Sequence, residues 1–298
     1  MTAPTTALAT TSSSGTRLRA ALSRGKLVAA PGIYDHVSLK VADAMGFDAL
    51  YMTGYGTVAS HLGLPDAGLA SYTDMVDRVA SFCALAKTPI VCDADTGYGG
   101  LLNVAHTVRG YEQAGAAGIQ LEDQEFPKKC GHTPGRRVIP TDDMVRKIEV
   151  AVEARRGDML IVARTDARTT LGLDEALARM ARYSSAGADI LFVESPESED
   201  ELAQIAAAFD KPVLINVVEG GRTPVLPAAR LEALGFALAI YPAAGFLAAA
   251  QALHQQYAHL RETGSSVGGP VPLYDFMAFS KLMGFEDVWE FDRRHAEA

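Results

Sequence analysis

Short apolar runs alternate with longer amphipathic stretches along most of this chain. Eight runs have the length and branching of buried strands: Lys26–Pro31, Ala49–Thr53, Pro89–Asp93, Gly118–Glu122, Met159–Arg164, Ile190–Glu194, Pro212–Asn216 and Leu238–Tyr241. Between them, Tyr72–Ala86, Leu102–Ala114, Asp142–Ala154, Leu173–Ala186 and Glu199–Phe209 place apolar residues at helical spacing. Asp142 and Asp174 fall at two helix starts, as caps or first-turn acids. The even-numbered runs are entered through Gly46, Gly115, Gly187 and Gly235, each where a helix end favours a left-handed residue. Strand and helix alternating eight times predict parallel strands with right-handed crossovers. Such an α/β chain fits a TIM (β/α)8 barrel, usually about 250 residues long.

The predicted domains are a disordered tail over residues 1–15, the barrel over 16–262 and a helical appendage over 263–298. Leu247–Arg261 reads as a long Ala-rich helix. The aromatic-rich segment from Tyr274 to Phe291 has too little bulk for its own core, so it is expected to pack on a neighbouring subunit or across the barrel.

Composition narrows the classes. Of 298 residues, 48% are hydrophobic and 21% charged, enough for a sizeable core. A net charge of −9 argues against nucleic acid as a main partner. No apolar run approaches the roughly 20 residues of a membrane span. Cys83, Cys92 and Cys130 offer neither a disulfide framework nor zinc-ligand spacing, so the cytoplasm is the simplest location. The acid-poor Thr/Ser/Ala tail bears a faint likeness to a transit peptide.

In such a barrel, chemistry belongs where strands end. The ends here read Thr53-Gly54-Tyr55, Asp93 and Asp95, Glu122-Asp123, Arg164-Thr165-Asp166, Glu194, Asn216 and Tyr241-Pro242. Asp93 and Asp95, two apart, are predicted to face one space by strand alternation. Two such carboxylates repel unless a hard cation separates them, which makes them candidate metal ligands, for Mg²⁺ or alternatively Mn²⁺, with Glu122 at the neighbouring strand end. A calcium EF-hand is excluded, because Tyr98 stands at its obligatory glycine and Val104 at its bidentate Glu. Arg164 is either an exposed salt-bridge partner or a fork for a substrate carboxylate. The Gly54–Ala59 stretch matches a relaxed dinucleotide fingerprint, but on the second strand it suits backbone amides lining a small-anion site better.

The loop after the fourth run reads Lys128-Lys129-Cys130-Gly131-His132. Two lysines and a histidine put the thiol in a positive field that favours thiolate, and glycines at 131 and 135 suit a mobile lid. The alternative is an incidental surface cysteine in a basic loop.

The segments TGYG, CDADTGYGG, QLEDQ, KKCGH, ARTDA, FVES and NVVEGG-TP together closely resemble the isocitrate lyase/phosphoenolpyruvate mutase superfamily over about residues 20–262. KKCGH resembles its carbon–carbon lyase branch, which includes the isocitrate, methylisocitrate and 2,3-dimethylmalate lyases. The resemblance implies a TIM barrel, Mg²⁺, a small carboxylate substrate and a homotetramer that exchanges C-terminal helices between paired subunits. By position it implies Asp95 as the main Mg²⁺ contact, with Asp93 and Glu122 acting partly through water. Thr53, Gly54 and Arg164 correspond to residues holding the α-keto product. Cys130 corresponds to an acid/base, with His132, Glu194 and Asn216 near the developing carbanion, and Asp66 to an acid that shifts near the metal. Tyr55, Lys129, Gly131 and Pro242 complete the candidate substrate-binding set. Tyr55 departs from the glycine or tryptophan of the tricarboxylate lyases, and Pro242 from the serine of the oxaloacetate hydrolases. The implied reaction is cleavage of a 2-hydroxy di- or tricarboxylate to pyruvate or glyoxylate and a second acid. A 2,3-dimethylmalate-type substrate leads, then methylisocitrate, with oxaloacetate hydrolysis or phosphonate chemistry as alternatives.

Overall fold

The computed structural model describes residues 12–131 and 135–296. It forms a closed barrel of eight parallel strands in sequential order: β1 Val28–Ile33, β2 Leu50–Met52, β3 Ile90–Asp93, β4 Gly118–Glu122, β5 Leu160–Thr165, β6 Ile190–Val193, β7 Val213–Asn216 and β8 Leu238–Tyr241. The helices of the first half are α1 Ser14–Leu22, α2 His36–Ala44, α3 Gly54–Leu62, α4 Tyr72–Leu85, α5 Leu101–Gln113 and α6 Thr141–Ala154. Those of the second half are α7 Arg168–Leu171, α8 Leu173–Ser185, α9 Glu199–Ala207, α10 Ala228–Leu234, α11 Ala244–Thr263, α12 Phe276–Leu282 and α13 Phe285–His295. All eight predicted strands are present, Gly118–Glu122 and Leu238–Tyr241 with the predicted bounds and the others with one or both ends moved by at most two residues. The first is displaced most, because Gly32 and Ile33 pair with Tyr51 and Met52 while Pro31 pairs with Tyr241. Asp142 and Asp174 sit in first turns rather than at the caps, which are Pro140 and Gly172. All four entry glycines have positive φ, between 76° and 108°.

Two apolar layers follow from strand alternation. Outward-facing residues such as Ile90, Ile119, Ile161 and Leu191 pack under the helices. Inward-facing residues form a second cluster of Ala30, Tyr51, Val91, Val162, Phe192, Leu214 and Ile240. Leu18, Ala21 and Leu22 of α1 join that inner cluster, so α1 plugs one end of the barrel. α1 starts within the 15 residues read as a tail; Ser13 accepts from the Thr16 amide, and both hydroxyls donate to Asp158.

The inward ladders rise by twos to the opposite end. Tyr51 leads to Thr53, Val91 to Asp93, Val162 to Arg164, Phe192 to Glu194, Leu214 to Asn216 and Ile240 to Pro242. The side chains above the apolar layer are therefore the ones read as chemistry in the sequence.

Beyond α11, the segment carrying α12 and α13 leaves Leu273, Tyr274, Phe276, Met277, Phe285 and Phe291 exposed. Among the described residues, no helix is long and apolar enough to cross a membrane.

Candidate active site

A cavity of about 240 Å³ opens at the C-terminal ends of the strands. Every candidate site residue among the described ones lines it except Gly54, Asp95 and Glu122, which border it from below or beside; His132 lies outside the described residues. Gly54 begins α3, where Thr53 is the N-cap and its Oγ1 accepts from the Gly56 amide at 3.4 Å. A side chain at Gly54 would strike the Asp93 carboxylate, so that glycine is required for the close approach.

The two aspartates converge, but not by strand alternation. β3 ends at Asp93, and Asp95 reaches the site through a left-handed turn with φ 49°. That turn is held from both sides: the Asp95 amide donates to Asp93 Oδ1 at 3.2 Å, and its carbonyl accepts from Glu122 N at 2.9 Å. A non-glycine residue in this region carries strain, which tends to persist where function over-determines the geometry.

The lid is closed over the cavity. Gln124 clamps Lys129 with two backbone contacts of 3.0 and 2.8 Å, the Cys130 amide donates to Asp66 O at 3.2 Å, and Ser195 Oγ donates to Gly131 O at 3.0 Å. Gly131 packs so tightly on Arg164 and Glu194 that a Cβ there would clash with both. This brings the half-buried Cys130 into the same cavity as Arg164, Glu194 and Asn216, with Asn216 Nδ2 donating to Glu194 Oε2 at 3.0 Å.

The lysines beside the thiol behave differently from the sequence expectation. Lys128 is 3% exposed and turns into the acids, bridging Asp66 and, at 2.6 Å, Asp95. Burial opposes its charge, yet Asp95, Asp66, Glu122 and Asp93 hold the ammonium well above its ordinary value. Lys129 lies exposed, its Nζ donating to Gly135 O at 3.4 Å. The positive field is therefore spent mainly on the carboxylates, with Lys128 the site residue whose role the sequence did not indicate.

Arg164 is neither exposed nor a free fork. Its Nε and Nη2 edge grips Asp166 at 3.0 and 2.9 Å, Nη1 lies 3.2 Å from Glu122, Nη2 lies 3.6 Å from Glu194, and the Phe192 ring sits beneath. Asp166 is held low by Arg164 against the effect of burial, with Arg136 adding a second cation. Only the outer edge of the guanidinium can meet a ligand. Tyr51, Gln120 and Asp166 were also missed as site neighbours, although Tyr51 and Gln120 stand two positions before Thr53 and Glu122 on the same ladders.

Among the described residues, the six carboxylates of Asp66, Asp93, Asp95, Glu122, Asp166 and Glu194 gather around Lys128, Arg164 and Arg136, with Lys147 also acting on Glu122, so acids outnumber cations. Burial pushes Asp95 up to about 6 and Glu122 well above the usual carboxylate range, and Glu122 Oε1 is buried without a hydrogen-bond partner. A divalent cation fits this donor set. Among the described residues no three His, Cys, Asp or Glu side chains close a direct ligand shell, so such an ion would keep water ligands, as Mg²⁺ usually does. Lys128 stands in the place such an ion would neutralise. In Lys128→Met, the metal-free protein should melt at lower temperature and bind Mg²⁺ about tenfold tighter or more, since a buried competing cation is gone. Calorimetric titration and melts with and without Mg²⁺ check both; unchanged affinity would show that lysine and metal do not compete.

A closed parallel barrel whose inward ladders end in acids, an arginine and an amide under a cysteine-bearing lid defines a TIM-barrel enzyme. The chain belongs to the phosphoenolpyruvate mutase/isocitrate lyase superfamily: the family model described as phosphoenolpyruvate phosphomutase matches residues 18–261. The 2,3-dimethylmalate lyase of Eubacterium barkeri is 48% identical over 281 residues, covering 94% of this chain and 97% of that one. Several 2-methylisocitrate lyases also match. Among solved structures, oxaloacetate acetylhydrolase in complex with 3,3-difluorooxalacetate superposes with a TM-score of 0.91 at 36% identity, over 96% of this chain and 98% of that one. Phosphonopyruvate hydrolase in complex with oxalate and Mg²⁺ gives 0.86 at 27% identity, over 96% and 100%.

Proposed function

We propose that this protein is a Mg²⁺-dependent carbon–carbon lyase that cleaves a 2-hydroxydicarboxylate of the 2,3-dimethylmalate type to an α-keto acid, pyruvate for that substrate, and a second carboxylic acid. The observation that carries the reading is Cys130, held by the closed lid in one cavity with Arg164, Glu194 and Asn216. The similarity to 2,3-dimethylmalate lyase supports it.

Asp95, with Asp93 and Glu122 behind water, would hold the ion, which when bound supplies Lewis-acid charge stabilisation at the acidic end of the cavity. The outer edge of Arg164, Thr53 and the first amides of α3 receive the keto-acid carboxylate. That orients the C2–C3 bond across the cavity. As it breaks, the C2 hydroxyl gives up its proton to a carboxylate of the acidic pole, its oxygen becomes the keto oxygen, and the C2–C3 electron pair passes to the C3 fragment, where the Asn216 amide and lid backbone lie within reach of the developing charge. Cys130 then delivers its proton to C3. Glu194 fixes Asn216 and opposes the inner side of Arg164, and His132 follows directly on the lid. The exposed apolar face of α12 and α13 is covered by a second copy of the chain in a homotetramer, working in the cytoplasm.

The test is a screen of four- to seven-carbon 2-hydroxy acids with Mg²⁺, detecting keto-acid release; no cleavage of any of them rejects the reading. Tyr55 lines the cavity beside Phe246 and narrows it. Tyr55→Gly should raise kcat/KM for methylisocitrate relative to dimethylmalate about tenfold, the usual scale for a pocket volume change. An unchanged ratio would remove Tyr55 from the specificity determinants.

A further inference from the structure

The cavity has two unlike poles. The first holds Asp66, Asp93, Arg164, Glu194 and Asn216. The second is built where the barrel closes, between β8 and β1, from Tyr55, Ile240, Pro242, Phe246 and Leu247. The reading above uses this second pole only through the narrowing at Tyr55.

Phe246, on the first turn of α11, is the residue that joins its parts. Its ring lies 5.4 Å from that of Tyr55 and meets Tyr34 edge-on at 6.1 Å. One glycine contact limits the ring itself and a second fixes the turn that carries it. A Cβ on Gly56 would come within 3.0 Å of Phe246 Cδ1 and 2.8 Å of Tyr34 Cβ. A Cβ on Gly32 would come within 2.5 Å of the Pro242 carbonyl oxygen, so β1 presses directly on the turn that leads into α11. Interiors packed this closely do not yield to an added methylene without cost. The base of the wall is thus fixed by packing, with Phe246 half-buried and Tyr55 and Leu247 exposed at its rim.

With the keto-acid end of the substrate held at Arg164 and C3 facing Cys130, the substituent on C3 points to what remains of the cavity, the apolar pole. We infer that Phe246, backed by Tyr34 and Tyr55, is a specificity-determining residue that forms an alkyl subsite for the C3 substituent and sets the length it accepts. This rests on the lyase reading above. An alkyl group gains by leaving water there. A third carboxylate finds the Tyr55 hydroxyl as its one side-chain donor among Tyr55, Pro242, Phe246 and Leu247 and faces Glu219 on the same lining, so tricarboxylates are disfavoured.

The experiment compares wild type with Phe246→Ala, Phe246→Leu and Phe246→Trp on a series: 2,3-dimethylmalate, 3-ethyl-2-methylmalate and 3-butyl-2-methylmalate. In wild type kcat/KM should fall at the butyl compound. The butyl-to-methyl ratio should rise about tenfold or more in Phe246→Ala, rise less in Phe246→Leu and fall in Phe246→Trp, within the range set by one or two methylenes. The conservative Phe246→Leu variant keeps the test valid if the alanine variant does not fold. A parallel arm titrates unreactive 2-methyl-, 2-ethyl- and 2-butylsuccinate by calorimetry. If no malate is cleaved but succinate affinities follow the size of residue 246, the lyase reading fails and the subsite stands. If cleavage occurs but neither ratios nor affinities respond to any of the three substitutions, the subsite is overturned and the lyase reading stands.

Discussion

Cys130→Ser should lower carbon–carbon cleavage by about 10²–10⁴-fold, the usual cost of removing a positioned acid. A hydroxyl is a far weaker acid than a thiol, so the carbanion would lose its proton donor while the lid kept its shape. Among the described residues, backbone atoms of residues 129–131 bond to Gln124, Ser195 and Asp66, and the substitution leaves these contacts in place. Ligand binding should therefore survive, and the KM for substrate should change far less than kcat. The wild-type thiol should react with alkylating agents, and bound keto acid should protect it. If Cys130→Ser turned over a carbon–carbon lyase substrate at near wild-type rate, the residue would be part of the lid only, and the cysteine would no longer weigh against phosphonate chemistry.

Removing the metal should be as damaging. EDTA treatment should abolish turnover, with Mg²⁺ or Mn²⁺ restoring it, and Asp95→Ala should lose more than the 10–100-fold typical of an outer-sphere change. Asp93→Ala should lose less. The reason lies in their surroundings: Asp93 is shared with Gln120 Nε2 at 3.3 Å and the Asp95 amide, whereas the Asp95 carboxylate is aimed at the cation position that Lys128 neutralises. Mg²⁺ titrations of both variants, read beside their rates, separate lost affinity from lost chemistry. Full turnover in exhaustively chelated protein would sink the metal reading.

The lyase screen, Tyr55→Gly and the Phe246 series bear on substrate choice; Lys128→Met, Cys130→Ser and the aspartates bear on how the site works. They are separable because their residues occupy different elements: Tyr55 and Phe246 lie on α3 and α11 at the barrel seam, while Cys130 and Lys128 ride on the lid after β4.

Periodicity alone determined the barrel. Apolar runs of strand length and helical stripes repeat regularly, and a parallel strand buried on both sides reads as continuous Val, Ile and Leu, as in Leu160-Ile161-Val162. Their place at strand ends, together with the family resemblance, made Thr53, Asp93, Glu122, Arg164, Glu194 and Asn216 legible, and all but Glu122 continue an inward apolar ladder. Helix α1 was missed because two helical turns with a charged outer face resemble a solvated lead-in until the barrel end that they fill is in view. Long-range partners were equally hidden. Lys128 and Lys129 are adjacent and identical in the sequence, and only the closed lid sends one into the acids and the other outward. Asp95 reaches the site through a left-handed turn rather than along a strand, and Arg164 spends one edge on Asp166. Phe246 reads as one more apolar helix residue until β8 closes on β1 and brings it against Tyr34 and Tyr55. Local pattern decides which face a side chain takes, because that depends on residues two to four positions away. Which charge or ring it meets depends on chain brought together from tens or hundreds of positions apart, and only tertiary packing decides that.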